Sequence, residues 1–306
     1  MPEFQPELAP KPSPDAKGAP AAYHLGLFAA AAIWASTFVN IKVVLLQLPP
    51  NTIAFLRFFL AGLPLSVYLA YTRRPVQRRD WLRLAAGGIT GVTLYNFLQN
   101  QGLRYAGSTD AAILASMAPV FLTLLAWLLL RERISRTQAM GILAALAGSV
   151  LVITNGNLGG FALNPLRLYG DALILVTGLA WAVYSILVKT LLERYPAVTV
   201  LAWTTVIGTL FLVPLSLAEM PVNFGAVTLS GWLNILYLGF AASALTYLIW
   251  NLALTRVSAV TAAAYIYLIP VLTAAMAAVY YRQPPGPPTM AGGAIVLLGT
   301  WLAARR

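Results

Sequence analysis

The chain has 306 residues, of which 59% are hydrophobic and only 9% charged, and its mean hydropathy is +0.76. Soluble domains carry about 25% charged residues, so this composition excludes a soluble enzyme and a disordered chain and points to an integral membrane protein. The formal charge of +11 does not indicate nucleic acid, because the basic residues sit in short gaps between apolar runs long enough to cross a bilayer.

In chain order, residues 1–23 are rich in Pro, Ala, Glu and Lys and lack apolar periodicity, so they read as a disordered tail. They do not read as a signal peptide, since no basic segment leads into a short apolar core with a small-residue cleavage site. A crossing helix needs about 20 apolar residues. Ten stretches meet that length: His24–Leu46, Thr52–Tyr71, Leu82–Gly102, Thr109–Leu130, Gln138–Thr154, Tyr169–Val188, Val198–Leu217, Trp232–Leu254, Ala259–Tyr281 and Thr289–Ala303. The fold class expected is therefore an all-α integral membrane protein with ten transmembrane helices. Fifteen of the 20 basic residues fall on the side of the N-terminus, which predicts that both termini are cytoplasmic. The chain has no cysteine and one histidine, His24, so neither thiolate chemistry nor a His/Cys metal cluster is expected, and no cofactor.

The second half repeats the first. At an offset of 151, Trp81 matches Trp232, Gly88 matches Gly239, Asn100 matches Asn251, Pro119-Val120 matches Pro270-Val271, and Gly148 matches Gly299. At an offset of 147, Trp34 and Lys42 fall on Trp181 and Lys189. The predicted organisation is a five-helix repeat over 24–155, a loop over 156–168, and a second repeat over 169–306. Five spans is an odd number, so the copies must be inverted, as in secondary transporters whose substrate site lies near the midplane between the halves.

Candidate functional residues follow from the repeat. Pro119 and Pro270 free the carbonyls of Ala115 and Ile266, and are expected as hinges. Tyr95, Asn96 and Gln99, with Tyr247 and Trp250 in the matching span, form a polar-aromatic face that reads either as a cavity wall or as interhelical hydrogen bonding. Trp34 and Trp181 sit mid-span, away from the interfacial belt, and with Tyr184 and Tyr265 complete an expected aromatic cavity. Lys42, in the outer third of its span, reads as a snorkelling side chain, or instead pairs with Asp110 or Asp171 near the outer mouth or attracts a substrate carboxylate. Arg57, in the outer third of its span, reads as a snorkelling side chain. All nine carboxylates lie in the tail, in loops or at helix ends, which favours a facilitator or exchanger over a proton antiporter.

The stretch Gly102-Leu103-Arg104-Tyr105, then Ala111-Ala112, Pro119, Arg131-Glu132, Gln138, Gly141 and Gly148 resembles the drug/metabolite transporter superfamily. Trp34, Phe38 and Lys42 in the first helix and Arg57-Phe58 in the second also fit. Within the superfamily the resemblance is to EamA-type ten-helix exporters, and most to YddG-type bacterial exporters of aromatic and other amino acids. Gln283 stands where that pattern has Glu, followed by Pro284-Pro285-Gly286-Pro287-Pro288. The resemblance implies alternating-access export of amino acids or related small polar metabolites across a bacterial inner membrane. The other readings are a carrier of nucleotide sugars, purines or drug cations, and a membrane-embedded enzyme. The enzyme would need a nucleophile–base pair or metal triad that the spans lack. The expected partners are the small-molecule substrate and the lipid bilayer. The glycine-rich stripes leave open whether two copies associate.

Overall fold

The computed structural model describes residues 21–304 apart from 119, 122–123, 126–127, 129–134, 155–163, 257–264, 267 and 283. Pro119, Arg131-Glu132, Gln283 and the tail over residues 1–20 therefore lie outside the described residues.

Among the described residues every regular element is helical, the solution that satisfies each backbone group within its own segment. The helices are α1 (Ala21–Val44), α2 (Pro50–Thr72), α3 (81–103), α4 (Ser108–Ala115), α5 (Arg136–Thr154), α6 (Pro165–Leu192), α7 (Ala197–Leu217), α8 (Leu229–Leu254), α9 (Leu268–Tyr281) and α10 (Pro287–Ala304). By length and composition α1, α2, α6, α7 and α8 can each cross a bilayer, while α5, α9 and α10 are shorter apolar helices. Local chemistry sets several ends. Pro50 and Pro165 open α2 and α6, where their missing N–H costs nothing. Asn164 caps α6 by accepting from the Leu166 and Arg167 amides, and Arg73 closes α2 in the left-handed conformation at φ 44°.

Two helices change pitch midway. Residues Ile89–Leu94 of α3 and Phe240–Leu245 of α8 are π-helical. Their first and last residues are each 151 positions apart, the offset of the sequence repeat. Packing follows the same pairing. The first helix of each half lies on the third and fourth of the other: α1 on α8 and α9, α6 on α3 and α4. The second helices, α2 and α7, pack together, as do the fifth, α5 and α10. The small-residue stripes serve these contacts. A Cβ on Gly148 of α5 would stand 2.7 Å from the Gly292 carbonyl of α10, and one on Gly88 of α3 would stand 2.7 Å from the Thr204 carbonyl of α7.

Charged groups tie the halves at both ends of the bundle. Beside the start of α3, buried Asp80 accepts from Arg194 at 2.9 Å and from the Tyr195 hydroxyl at 2.9 Å. At the opposite end Arg167 of α6 donates to Asp110 of α4 and to the Val152 carbonyl of α5, both at 3.1 Å. Thr289 of α10 donates to the other Asp110 oxygen at 3.1 Å. Asp171, one turn beyond Arg167, is fully buried and 3.5 Å from its Nε.

Candidate functional site

A cavity of about 50 Å³ lies in the middle of the bundle. Both halves contribute to it: Trp34, Thr37 and Phe38 from α1, Arg57 from α2, Tyr95 and Gln99 from α3, and Ala112 and Ala115 from α4. Ser116 and Ala118 follow α4, Trp181 comes from α6, Tyr247 from α8, Ile266 precedes α9 and Ile269 is its second residue. One water needs roughly 10–15 Å³ on this measure, so the space holds a few waters. Ligand pockets are several times larger. The conformation is contracted, and a solute would have to displace side chains to enter.

The aromatic wall is a cluster of edge contacts. Trp34 and Trp181, equivalent by the repeat, meet at 5.7 Å and 81° between planes, and Trp34 meets Tyr247 at 5.8 Å and 86°. Such T-shaped pairs place a ring's positive edge on another's negative face. Trp250 packs behind, 5.5 Å from Trp34, and Tyr184 sits 5.1 Å from Trp181. Gly91, in the π turn of α3, gives Tyr184 its seat, because a Cβ there would overlap the ring.

The π turn of α8 explains how the wall is held. It moves the backbone ladder by one residue, so that the Thr246 amide bonds to Ala241, five positions back. The neighbouring Ala242 carbonyl then accepts from three side chains: Trp34 Nε1 at 3.2 Å, Arg57 Nη2 at 3.2 Å and Thr246 Oγ1 at 2.7 Å.

Arg57 departs from its sequence reading. It is 3% exposed and does not snorkel. Its Nε donates to Ser243 and its Nη1 to Asn96 Oδ1 at 3.3 Å. The acceptors come from α3 and α8, which lie far from α2 in sequence. They hold the guanidinium inside the bundle instead of letting it reach an interface.

Of the residues singled out by sequence, Trp34, Tyr95, Gln99, Trp181 and Tyr247 border the cavity. Trp250, Tyr184 and Asn96 stand one layer behind it. Two are elsewhere. Tyr265 bonds to His24 Nδ1 at 2.9 Å, and half-buried Lys42 lies beyond Phe38 along α1, under the charges of Asp110 and Asp171. Pro270 is buried as the third residue of α9. Ala115 and Ile266, four residues before each proline, are both on the cavity wall. Sequence reasoning did not place Arg57, Thr37, Phe38, Ala118 or Ile269 at the cavity. The signal available for Arg57 was the cost of a charge inside a crossing helix. No carboxylate borders the cavity among the described residues.

The model of the EamA-like transporter family matches the chain twice, over residues 21–154 and 168–305. The chain belongs to the EamA-like transporter family. Among its EamA-like relatives, an uncharacterized transporter of Archaeoglobus fulgidus is 33% identical over 92% of this chain and 97% of its own length. A protein of Streptantibioticus cattleyicolor named as a probable terminal-alkyne amino-acid exporter is 31% identical over 89% and 90%. A Salmonella typhimurium protein named as a probable amino-acid metabolite efflux pump is 29% identical over 88% and 90%. A solved crystal structure shares the fold with a TM-score of 0.65 at 21% identity, covering 93% of this chain and 97% of the other. This EamA-like protein is thus a multi-pass membrane protein of transporter type.

Proposed function

We propose that this EamA-like protein is a secondary exporter of amino acids with aromatic or aliphatic side chains. It works by alternating access between two inverted five-helix repeats, with ten crossing helices and both termini cytoplasmic in a bacterial inner membrane. The observation that carries this reading is the central cavity, whose aromatic wall joins equivalent residues of the two halves, Trp34 and Trp181. A site shared by both repeats is what rocking one against the other can expose to each side in turn. The names of the Streptantibioticus and Salmonella relatives support amino acids as the solute class. Pro119 and Pro270 serve as hinges, with Ala115 and Ile266, four residues before them, on the cavity wall. With no carboxylate on the wall among the described residues, exchange runs without a proton gradient.

The test is counterflow in liposomes containing the purified full-length protein. Vesicles loaded with unlabelled phenylalanine or leucine should accumulate the labelled amino acid at equal pH on both sides, and vesicles loaded with purines or sugars should not. Trp181→Ala should reduce phenylalanine exchange at least tenfold while the protein stays monodisperse. Uptake that appears only under a pH gradient would reject the exchange mechanism, and selective purine or sugar counterflow would reject the substrate class.

A further inference from the structure

We infer that Arg57 and Gln99 form a headgroup site for a zwitterion in the cavity, Arg57 taking the carboxylate and the Gln99 carbonyl the ammonium. This rests on the reading of the cavity as the transport site and adds which atoms of the solute are recognised.

Arginine stays charged in proteins, and a buried charge is costly unless it is paired. Arg57 is almost wholly buried, yet among the described residues every hydrogen-bond acceptor it has is neutral: the Ser243 hydroxyl, the Asn96 amide oxygen and the Ala242 carbonyl. The acids at the ends of the bundle are committed to other partners. Asp110 accepts from Arg167 and Thr289, and Glu219 accepts from the first turn of α2. A guanidinium has five N–H donors. Three are used, which leaves one on each terminal nitrogen, and this cation borders the cavity. Paired N–H groups of this kind match the two oxygens of a carboxylate. One cation balances one negative charge, so the class is a monocarboxylate rather than a phosphate ester.

Gln99 supplies the second half independently. It is 2% exposed and lines the same cavity, and its Oε1 is buried without a donor among the described residues. Its Nε2 donates to the Tyr95 hydroxyl at 3.3 Å, which leaves the carbonyl as the free end. An unsatisfied buried acceptor calls for a donor, and an ammonium supplies three. The neighbouring aromatic wall then receives the side chain. Lys42 does not compete for the carboxylate, because it does not border the cavity and lies under the charges of Asp110 and Asp171.

Binding to the purified full-length protein in detergent tests this through tryptophan fluorescence. The probes are phenylalanine and leucine, their deaminated forms (3-phenylpropionate and 4-methylpentanoate) and their decarboxylated forms (phenethylamine and isoamylamine). The amino acids should bind best, the deaminated acids about tenfold more weakly, and the amines should not bind. Arg57→Gln should weaken amino-acid binding at least tenfold, with Arg57→Lys recovering part of it. Gln99→Leu should erase the preference for phenylalanine over 3-phenylpropionate while leaving 3-phenylpropionate binding intact, a selective change that a packing role would not produce. If Arg57→Gln does not fold, the wild-type probe series decides. Amines binding as tightly as amino acids, no binding by any probe, or unchanged binding in folded Arg57→Gln overturns the inference. Binding of the deaminated acids but not the amino acids overturns the Gln99 half and the amino-acid export reading together, and leaves the Arg57 assignment standing.

Discussion

Glu219 follows α7, yet its carboxylate acts at the start of α2. One oxygen accepts from the Asn51 amide at 3.0 Å, and the other from the Thr52 amide at 2.7 Å and the Thr52 hydroxyl at 2.9 Å. The first turn of a helix has unpaired amides and a positive dipole end, so an anion there is doubly favourable. Glu219→Ala should cost about 1–2 kcal/mol, seen as a lower thermal midpoint in detergent with the fold retained. An unchanged midpoint would mean that water replaces the cap. This contact was not legible in the sequence, where Glu219 is one acid in a loop. The residues that were legible share a property: Trp34, Trp181, Tyr95, Gln99 and Tyr247 recur at helical spacing or at the repeat offset. Arg57 recurs at neither. Its meaning depends on Ser243, Asn96 and Ala242, which only the packing of α2 against α3 and α8 brings to it.

At the scale of elements, the π turns carry the most consequence. The repeat offset was visible in the sequence, but the turns were not. Ile89-Thr90-Gly91-Val92-Thr93-Leu94 and Phe240-Ala241-Ala242-Ser243-Ala244-Leu245 contain no proline and share no motif, and hydropathy does not register one extra residue per turn. Their effect on the site is direct, since one offers the Ala242 carbonyl to Trp34 and Arg57 and the other admits Tyr184 beside Gly91. Gly91→Ala drives a methyl into the Tyr184 ring and should cost about 1–3 kcal/mol. It should also reduce amino-acid counterflow, because Tyr184 supports Trp181. Gly225→Ala is the control, since its Cβ would meet only Asn223 Oδ1, at 3.4 Å, an ordinary contact. Equal thermal midpoints and equal flux in the two variants would remove the support role of Tyr184.

Across the whole molecule, the halves are joined by charge at both ends, and the Asp80 end has a pH signature. Burial alone would raise the Asp80 carboxyl. The hydrogen bonds from Tyr195 and Arg194, with the charges of Arg194 and Arg79, outweigh it and hold the group below the usual carboxylate range. The stabilisation is therefore fully present above the ordinary carboxylate value of about 4 and is lost as pH falls through the lower folded value. Thermal unfolding in detergent should show the wild type losing more stability than Asp80→Asn between about pH 5 and pH 2.5. Parallel acid limbs would place the acid sensitivity in another carboxylate.

The contracted cavity also bears on how affinity is read. If the wide state is only a fraction of the population, the measured dissociation constant equals the intrinsic one divided by that fraction. A state present at about one part in a hundred makes a tight site look a hundredfold weak. Weak binding in a resting preparation would then report the rarity of the wide form rather than a poor fit. A substitution that favours the wide form without touching the wall, Arg57 or Gln99 would tighten binding with no new contact to the solute.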